Sequence, residues 1–428
     1  MIRLIQVLIT GLVTSLFLFP FNLPISLVIN TKMILAALGG GLFVLDILRK
    51  HSTVVSKHFI ILSIICAVIS LWGFFVTTFN GTSDYSFTKY LFSVWVWLSA
   101  AYTVIWLMRT THAGLSVATV SNYLIGVCTI QCILAYAMTI WPSLSAFIDS
   151  LMGEGEAFMS AIQGRLHGLG AALDPAGLRF STVLIIITYL LAKLDYNKQL
   201  WLAVFYLISF MVITIVGNMI ARSTTIGALL AIFLYIVLRW PHGGKIVFDR
   251  SWAIIGGGLI IVVLISSWLY RVDADFRDNL RFGFEGFFSL VEKGRWEVKS
   301  NDILKGMIVW PELVKTWIIG DGFFDSPDTP DRFGQLPEGF YMHTDIGYLR
   351  FIFYFGCIGL LGMLSALVYM TYTCIKAHPE YKWMFVFFLL VTIIGWLKVS
   401  SDVIMVYAPY LILAYEEDVA SPSISSST

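Results

Sequence analysis

Long apolar runs alternate with short polar segments from residue 4 to residue 415. A helix needs roughly 20 apolar residues to cross the hydrocarbon core of a bilayer. The first run follows a single basic residue, Arg3, and has no cleavage site of small residues, so it is interpreted as an anchor rather than a signal peptide. The pattern predicts an all-α protein of about twelve membrane-spanning helices, near residues 4–20, 26–48, 58–79, 90–108, 116–141, 180–193, 200–219, 223–240, 252–270, 346–373, 383–398 and 402–415.

Two polar segments are too long to be simple connections between spans. The segment 271–345 carries fourteen acidic and nine basic residues, and its apolar residues from Trp296 to Ile318 recur at roughly helical spacing. It is therefore expected to fold in part as an amphipathic helix against the membrane surface. The predicted organisation is N-terminal spans at 1–141, an outer loop at 142–179, central spans at 180–270, a large outer loop at 271–345, C-terminal spans at 346–416 and a disordered tail at 417–428.

The distribution of Lys and Arg over the short loops predicts the orientation. With the N-terminus in the cytoplasm, twelve of these residues fall on the inner side and four on the outer side. Because positive charge accumulates on the cytoplasmic side, this bias favours a topology with both termini inside. The four outer cations are Lys32, Lys89, Arg222 and Lys398.

Composition supports a membrane protein and excludes several other classes. Hydrophobic residues make up 58% of the chain and charged residues 13%, whereas soluble proteins carry roughly 25% charged residues. The net charge of +1 gives no concentrated basic surface, which argues against nucleic acid as a partner. All five cysteines lie within or at the end of apolar runs, so neither disulfides nor a zinc site are expected.

Charged residues within the predicted spans are scarce. Asp46 lies near an inner end, and Arg350 lies about one turn inside the tenth span. Ion-coupled transporters usually hold charged groups near the midplane of the membrane. Their scarcity argues against an ion-coupled transporter, although sugar carriers can use aromatic and amide groups instead.

The outer side carries a set of residues suited to a different chemistry. Arg222 lies in a very short outer hairpin, Arg165 and Arg179 follow a Gly-rich stretch, and Arg295 lies in the large loop. One guanidinium group can donate two parallel hydrogen bonds to two oxygens of a phosphate. His343, directly before the tenth span, has an imidazole suited to removing a proton from a sugar hydroxyl. Each residue alone also fits a structural role; an arginine, for example, can extend its guanidinium group to the lipid headgroups. Together they suggest a lipid-linked sugar as substrate.

Several short motifs in this order resemble the O-antigen polymerase (Wzy-type) and O-antigen ligase superfamily of bacterial envelopes. The likeness covers most of the chain from about 160 to 365. It implies a GT-C-like helical bundle with a helical periplasmic cap in the bacterial inner membrane. The matching motifs are Gly164-Arg165-Leu166-His167-Gly168 with Leu173-Asp174-Pro175, Ala221-Arg222-Ser223-Thr224-Thr225-Ile226-Gly227, Gly294-Arg295-Trp296, Gly320-Asp321-Gly322-Phe323, and His343 through Tyr348-Leu349 to Gly356-Cys357-Ile358-Gly359.

The resemblance implies a metal-independent glycosyl transfer on the periplasmic side, with no cofactor. Arg222 and Arg295 would hold the pyrophosphate of an undecaprenyl-pyrophosphate-linked glycan, and His343 would activate or orient the acceptor hydroxyl. Arg165 and Arg179 would bind the glycan or the pyrophosphate.

One departure from the family pattern leaves the base open. The hydroxyl-rich context usual around the final histidine is replaced here by Thr344-Asp345, so either His343 or Asp345 can be the base. Asp345 and Arg350 are further candidates for substrate binding.

The preferred hypothesis is a polymerase that joins lipid-linked repeat units into O-antigen or capsule. Its expected partners are the lipid-linked donor and acceptor glycans, membrane lipid and a chain-length regulator. The nearest alternative is a ligase that moves finished glycan onto lipid A core or protein, because the two would share a donor site. A flippase or exporter predicts internal repeats and a polar path through the spans, and neither is apparent in the sequence. A membrane scaffold or receptor would tolerate the loss of His343 and Arg222.

Overall fold

The three-dimensional structure is a computed structural model. It describes residues 2–24, 26–50, 55–154, 156–162, 165–239, 250–325 and 339–420. Within these ranges the α-helices are α1 (Ile2–Leu18), α2 (Thr31–Lys50), α3 (Lys57–Asn80), α4 (Tyr90–Thr111), α5 (Val117–Ile140), α6 (Pro142–Leu151), α7 (Glu156–Ile162), α8 (Leu173–Lys193), α9 (Leu200–Ile220), α10 (Thr224–Arg239), α11 (Arg250–Val272), α12 (Ala274–Gly283), α13 (Glu285–Lys293), α14 (Lys299–Gly306), α15 (Val314–Ile318), α16 (Gly347–Ala377), α17 (Lys382–Gly395) and α18 (Ile404–Ala420).

Each predicted apolar run overlaps a helix, although residues 26–30 of the second run form a strand. By length and apolar composition, seven helices in the described ranges can cross a membrane: α2, α3, α4, α5, α8, α9 and α16. The other five predicted runs coincide with α1, α10, α11, α17 and α18. A small antiparallel hairpin of β1 (Asn22–Leu23) and β2 (Ser26–Asn30) joins α1 to α2. The prediction of an all-helical membrane protein is thereby confirmed.

Helix α8 lies at the centre of the bundle. Its apolar window is 89% buried inside the protein, compared with 17% for α2 and 33% for α3. It packs against α5, α9, α10 and α17. The helix begins at Leu173, where the sequence placed a loop up to residue 179, so Arg179 lies in the second turn of a buried helix rather than in a loop.

Small residues bring α8 and α10 into close contact. A Cβ atom at Gly227 would overlap the backbone of Ser181, and one at Gly177 would overlap the side chain of Ser223. The Ser181 hydroxyl donates to the Ser223 carbonyl at 2.9 Å and accepts from the Gly227 amide at 3.1 Å. Close approach through small residues is how helices associate in lipid. This contact fixes the tight turn between α9 and α10, and with it Arg222.

Gly227→Ala is expected to destabilise the protein, because the added methyl group has no space at the α8–α10 contact. Overpacking of this kind typically costs about 1–3 kcal/mol. Gly126→Ala on α5 is the matched control, since no atom lies within 4 Å of the position a Cβ would take there. Thermal unfolding in detergent should show a lower midpoint for Gly227→Ala only. Equal midpoints for the two variants would contradict the close contact.

The large polar segment forms a cap of four short helices, α12 to α15, over one end of the bundle. Asp273 caps α12 by accepting from the Phe276 amide at 2.9 Å, and it also accepts from the Tyr136 hydroxyl at 2.7 Å. Gly283, at the end of α12, packs against the backbone at the end of α9. The amphipathic helix expected from Trp296 to Ile318 is instead two helices, α14 and α15, separated by a stretch that contains Pro311. Proline cannot continue the helix, because it lacks an amide donor.

Helix α16 is broken at Phe355 and Gly356, and the chain after α15 fills the break. Gly356 has a φ of +68°, a left-handed conformation that favours glycine. The freed carbonyls find donors: Phe353 accepts from the Asp321 amide at 2.6 Å, and Tyr354 from the Gly322 amide at 3.0 Å. The Trp72 indole donates to the Phe355 carbonyl at 2.8 Å. Two of the matching sequence motifs, around Gly320 and around Gly356, therefore meet here.

Candidate active site

A cavity of about 1320 Å³ lies between the cap and the bundle end that it covers. We call it the main cavity. It brings together Arg165, Arg222 and Asp345, three residues predicted from distant parts of the sequence. Its other lining residues are Leu173, Asp174, Ile220, Ala221, Arg281, Phe282, Glu285, Phe288, Ser289, Glu292, Lys293, Glu297, Lys299, Ser300, Asp302, Ile303, Leu304, Met307 and Lys398.

Arg222 is held on several sides at the wall of the main cavity. Its Nε donates to the Phe282 carbonyl at 2.9 Å, and its Nη1 donates to the Ser300 hydroxyl at 2.9 Å. The guanidinium lies 4.2 Å from the centroid of the Phe282 ring and forms an ion pair with Glu285 at 2.8 Å. Burial lowers the pKa of Arg222, and Glu285 opposes that shift. The group stays cationic, since arginine is not deprotonated in proteins. It is thus a fixed, partly desolvated positive charge.

Arg165 lies near the same phenylalanine ring as Arg222. Its guanidinium is 6.0 Å from the centroid of the Phe282 ring, and its positive charge contributes to lowering the pKa of Arg222. In the described part of the chain, neither Arg165 nor Lys299 has an acidic group within 4.0 Å of its charged end. These two cations are therefore available to an anion that enters the main cavity.

Most other charges of the main cavity are paired with one another. Arg281 contacts Glu292 at 2.7 Å, Lys293 contacts Glu297 at 2.6 Å, and Lys398 contacts Asp174 at 2.8 Å. The lining has as many acidic as basic residues, so the net charge of the cavity does not by itself select an anion. Selection of an anion instead depends on Arg165, Lys299 and Arg222.

Asp345 is the half-buried carboxyl group of the main cavity, at the start of α16. Burial raises its pKa from an ordinary value of 3.8 to about 6, and the negative charge of Asp174 adds to this, whereas Arg350 and Lys398 oppose it. A carboxyl group with a pKa near 6 can accept a proton close to neutral pH. Raised carboxyl pKa values of this kind are frequent at active sites.

His343 and Arg295 lie outside the lining of the main cavity. The His343 side chain is exposed on a short 3-10 turn, with φ of +53° at His343 and +56° at Met342. The Arg295 side chain is 73% exposed and forms an ion pair with Glu297 at 2.5 Å. The structure therefore brings Arg222 together with Arg165 and Asp345, but not with the two other residues assigned to catalysis by the resemblance.

Arg179 and Arg350 are both buried, and neither lines the main cavity. Arg179 lies over the Phe19 ring at 5.4 Å. Arg350 donates to the Asp325 carboxylate at 2.9 Å and to the Ser400 hydroxyl at 3.1 Å. These contacts give Arg350 a structural role, because they connect the segment after α15, which contains Asp325, to the loop before α18.

The sequence did not single out several residues of the main cavity. Lys398 and Asp174 form an ion pair next to Asp345, but Lys398 served only to assign the orientation, and Asp174 only as part of a motif. Phe282 and Lys299 lie among many aromatic and charged residues of the large loop, with no local pattern to distinguish them. Only the helical cap folding back over α9 places them beside Arg222.

No protein-family model matches the chain, and no curated protein or solved structure is significantly similar to it. Within the described residues, no three His, Cys, Asp or Glu side chains form a group arranged to hold a metal ion.

Proposed function

We propose that the protein is a glycosyltransferase of the O-antigen polymerase type, which joins undecaprenyl-pyrophosphate-linked repeat units on the periplasmic face of the bacterial inner membrane. The observation that carries this proposal is the meeting of Arg165, Arg222 and Asp345 in the main cavity. Fixed cations for a pyrophosphate and a carboxyl group able to take a proton lie together there. The cavity also lies at the end of a membrane bundle, where the headgroup of a lipid-linked substrate can reach it.

The donor pyrophosphate would bind to Arg165, Arg222 and Lys299. In the reaction, the acceptor hydroxyl oxygen forms a bond to the anomeric carbon of the donor sugar. The bond from that carbon to the phosphate oxygen breaks, and the electron pair leaves with undecaprenyl pyrophosphate. Negative charge grows on the leaving group, so cations that are already in position stabilise the transition state more than the ground state.

Asp345 would accept the proton of the acceptor hydroxyl. The family pattern left His343 and Asp345 as alternatives. Asp345 is preferred because it lines the same cavity as Arg222 and has a pKa of about 6. His343 would then serve at most to shape the turn that leads to Asp345.

We also propose how the helices are arranged in the membrane. All twelve predicted runs would span the membrane in a GT-C-like arrangement, with both termini cytoplasmic and the cap periplasmic. Arg222 at the α9–α10 turn and the cap helices that contact it would then share the periplasmic side. The excess of Lys and Arg in the loops assigned to the cytoplasm supports this orientation.

A deletion strain tests the proposal through its glycan ladder and its pool of lipid-linked intermediates. A polymerase is expected to leave single repeat units on lipid A core when it is absent, and the wild-type gene should restore the full ladder. Long polymer stranded on undecaprenyl pyrophosphate would instead identify a ligase. An unchanged ladder and an unchanged lipid-linked pool would refute both assignments.

A further inference from the structure

A second cavity, of about 320 Å³, lies beside the main cavity and shares Arg165 with it. We call it the side cavity. It lies between the end of α5, helix α6 and helix α12. Its lining residues are Ala135, Met138, Thr139, Ser145, Arg165, Leu166, His167, Asp275 and Asn279.

The side cavity differs in chemistry from the main cavity. Its lining contains one arginine and one aspartate, together with two hydroxyl groups, an imidazole and a primary amide. Ala135, Met138 and Leu166 supply apolar surface. A rim of hydrogen-bonding groups around an apolar patch suits a sugar ring, which carries hydroxyl groups at its edge and C–H groups on its face. The volume is at the small end for ligand cavities, so it suits one or two sugar rings.

A hydrogen-bond network lies in the wall of this cavity and holds the backbone at Arg165. His167 contacts the Asp149 carboxylate through Nε2 at 2.9 Å and the Arg165 carbonyl through Nδ1 at 3.0 Å. The Ser145 hydroxyl donates to the other oxygen of Asp149 at 3.2 Å. His167 and Asp149 are largely shielded, with 13% and 29% of their side chains exposed. The backbone of Arg165, between the two cavities, is thus held from the side-cavity wall.

We infer that the side cavity binds a sugar residue of the substrate glycan whose pyrophosphate occupies the main cavity, with Arg165 contacting both. This inference rests on the proposed function. A glycan held at two connected sites dissociates more slowly than one held at a single site, because the second contact is intramolecular. After each transfer undecaprenyl pyrophosphate leaves the main cavity, and the sugar held in the side cavity keeps the growing glycan bound until the next substrate enters, which lengthens the product.

Asn279 provides the test, since its side chain lines the cavity and its amide donates to the Asp275 carbonyl at 2.9 Å within α12. Asn279→Ala removes one hydrogen bond from the protein to the bound sugar. Alanine is a good helix former, so α12 should be maintained. Asn279→Trp fills the cavity. Asp278→Ala is the matched control, because the neighbouring Asp278 side chain is 79% exposed and lies outside both cavities.

Full-length protein in nanodiscs would be given the lipid-linked repeat units that accumulate in the deletion strain. For Asn279→Ala we expect the mean product length to fall by about fivefold, the factor that one neutral hydrogen bond carries. Asn279→Trp should shorten the products further. For the first transfer, both variants should raise KM while kcat, measured with saturating substrate, stays within about twofold of wild type, because a binding contact made equally in the ground and transition states affects only KM. Asp278→Ala should give the wild-type ladder.

Wild-type product lengths in both Asn279 variants would overturn the inference, provided that Arg222→Ala is inactive in the same assay. A first transfer that slows in proportion to the product length would also overturn it, since it would indicate damage to the main cavity or the fold. Thermal unfolding midpoints of the variants separate those two causes. Failure of the wild-type protein to form any polymer would refute the proposed function itself.

Discussion

Arg222→Ala is expected to lower the rate of glycan polymerisation by about 10²- to 10³-fold, the typical cost of removing one fixed donor that stabilises a developing anion. Arg222 is held by Phe282, Ser300 and Glu285, so its charge is in position before the substrate arrives. Arg222→Lys should recover only part of the activity, because an ammonium group cannot reproduce the planar set of donors. The rate is measured on purified protein with lipid-linked repeat units.

Arg295→Ala is the control for this experiment. Arg295 is 73% exposed, and it lies outside the main cavity, so its loss should leave the rate within about threefold of wild type, as is usual for surface substitutions. A near-normal rate in Arg222→Ala would exclude Arg222 from the chemistry. Equal and severe losses in both variants would show that Arg295 holds the pyrophosphate together with Arg222, as the resemblance implied.

Asp345→Asn is expected to abolish most of the activity, by about 10²- to 10⁴-fold, which is the usual contribution of a general base. The wild-type rate should rise with pH through about 6 and then level off, because burial raises the pKa of Asp345 to about 6 and only the carboxylate accepts a proton. Well below that pH, the rate should fall by about tenfold per pH unit. The pH profile of kcat/KM measures this directly.

The same substitution should stabilise the folded protein at neutral pH. The pKa of Asp345 is raised on folding from 3.8 to about 6. The stability that the protonated form of Asp345 gives the folded protein is therefore fully present below pH 3.8 and is lost as the pH rises through 6. At pH 7 the buried carboxylate costs up to about 3 kcal/mol, which asparagine avoids. A higher thermal midpoint together with lost activity is the expected signature, and the gain in midpoint should vanish near pH 4.

His343→Gln separates the two candidate bases. The His343 side chain is exposed and outside the main cavity lining, so this variant should keep the wild-type pH profile. Two results together would assign the base to the histidine. The kcat/KM of His343→Gln would no longer change with pH near 6, and Asp345→Asn would stay active.

Hydropathy predicted where the helices lie but not how they deviate from regular geometry. The runs near 90–108 and 200–219 coincide closely with α4 and α9, because lipid requires long apolar segments and leaves little freedom in their placement. The break in α16 was not predicted, since Gly356 lies within an apolar run and many glycines occur in continuous helices. Its cause is a contact with residues 319–322, which no local pattern reveals.

The sequence predicted only some of the residues that line the main cavity. Arg222, Arg165 and Asp345 were singled out because arginines and a proton acceptor suit a lipid-linked sugar, and they do share a cavity. Arg350 was expected to bind substrate, yet its position one turn inside α16 makes it a partner of Asp325. Which charged groups face inward depends on the path of the cap, and that path is set by packing between distant segments rather than by spacing in the sequence.

Lipid offers no hydrogen-bond donors to the backbone carbonyls freed at Phe353, Tyr354 and Phe355. While α16 is first entering the bilayer, a continuous helix is therefore its favoured form. The partners of these carbonyls, Trp72 and residues 321–322, precede α16 in the chain and are synthesised before it. The bend in α16 therefore depends on α3 and on the segment after α15 being in place, and it fastens that segment to the bundle.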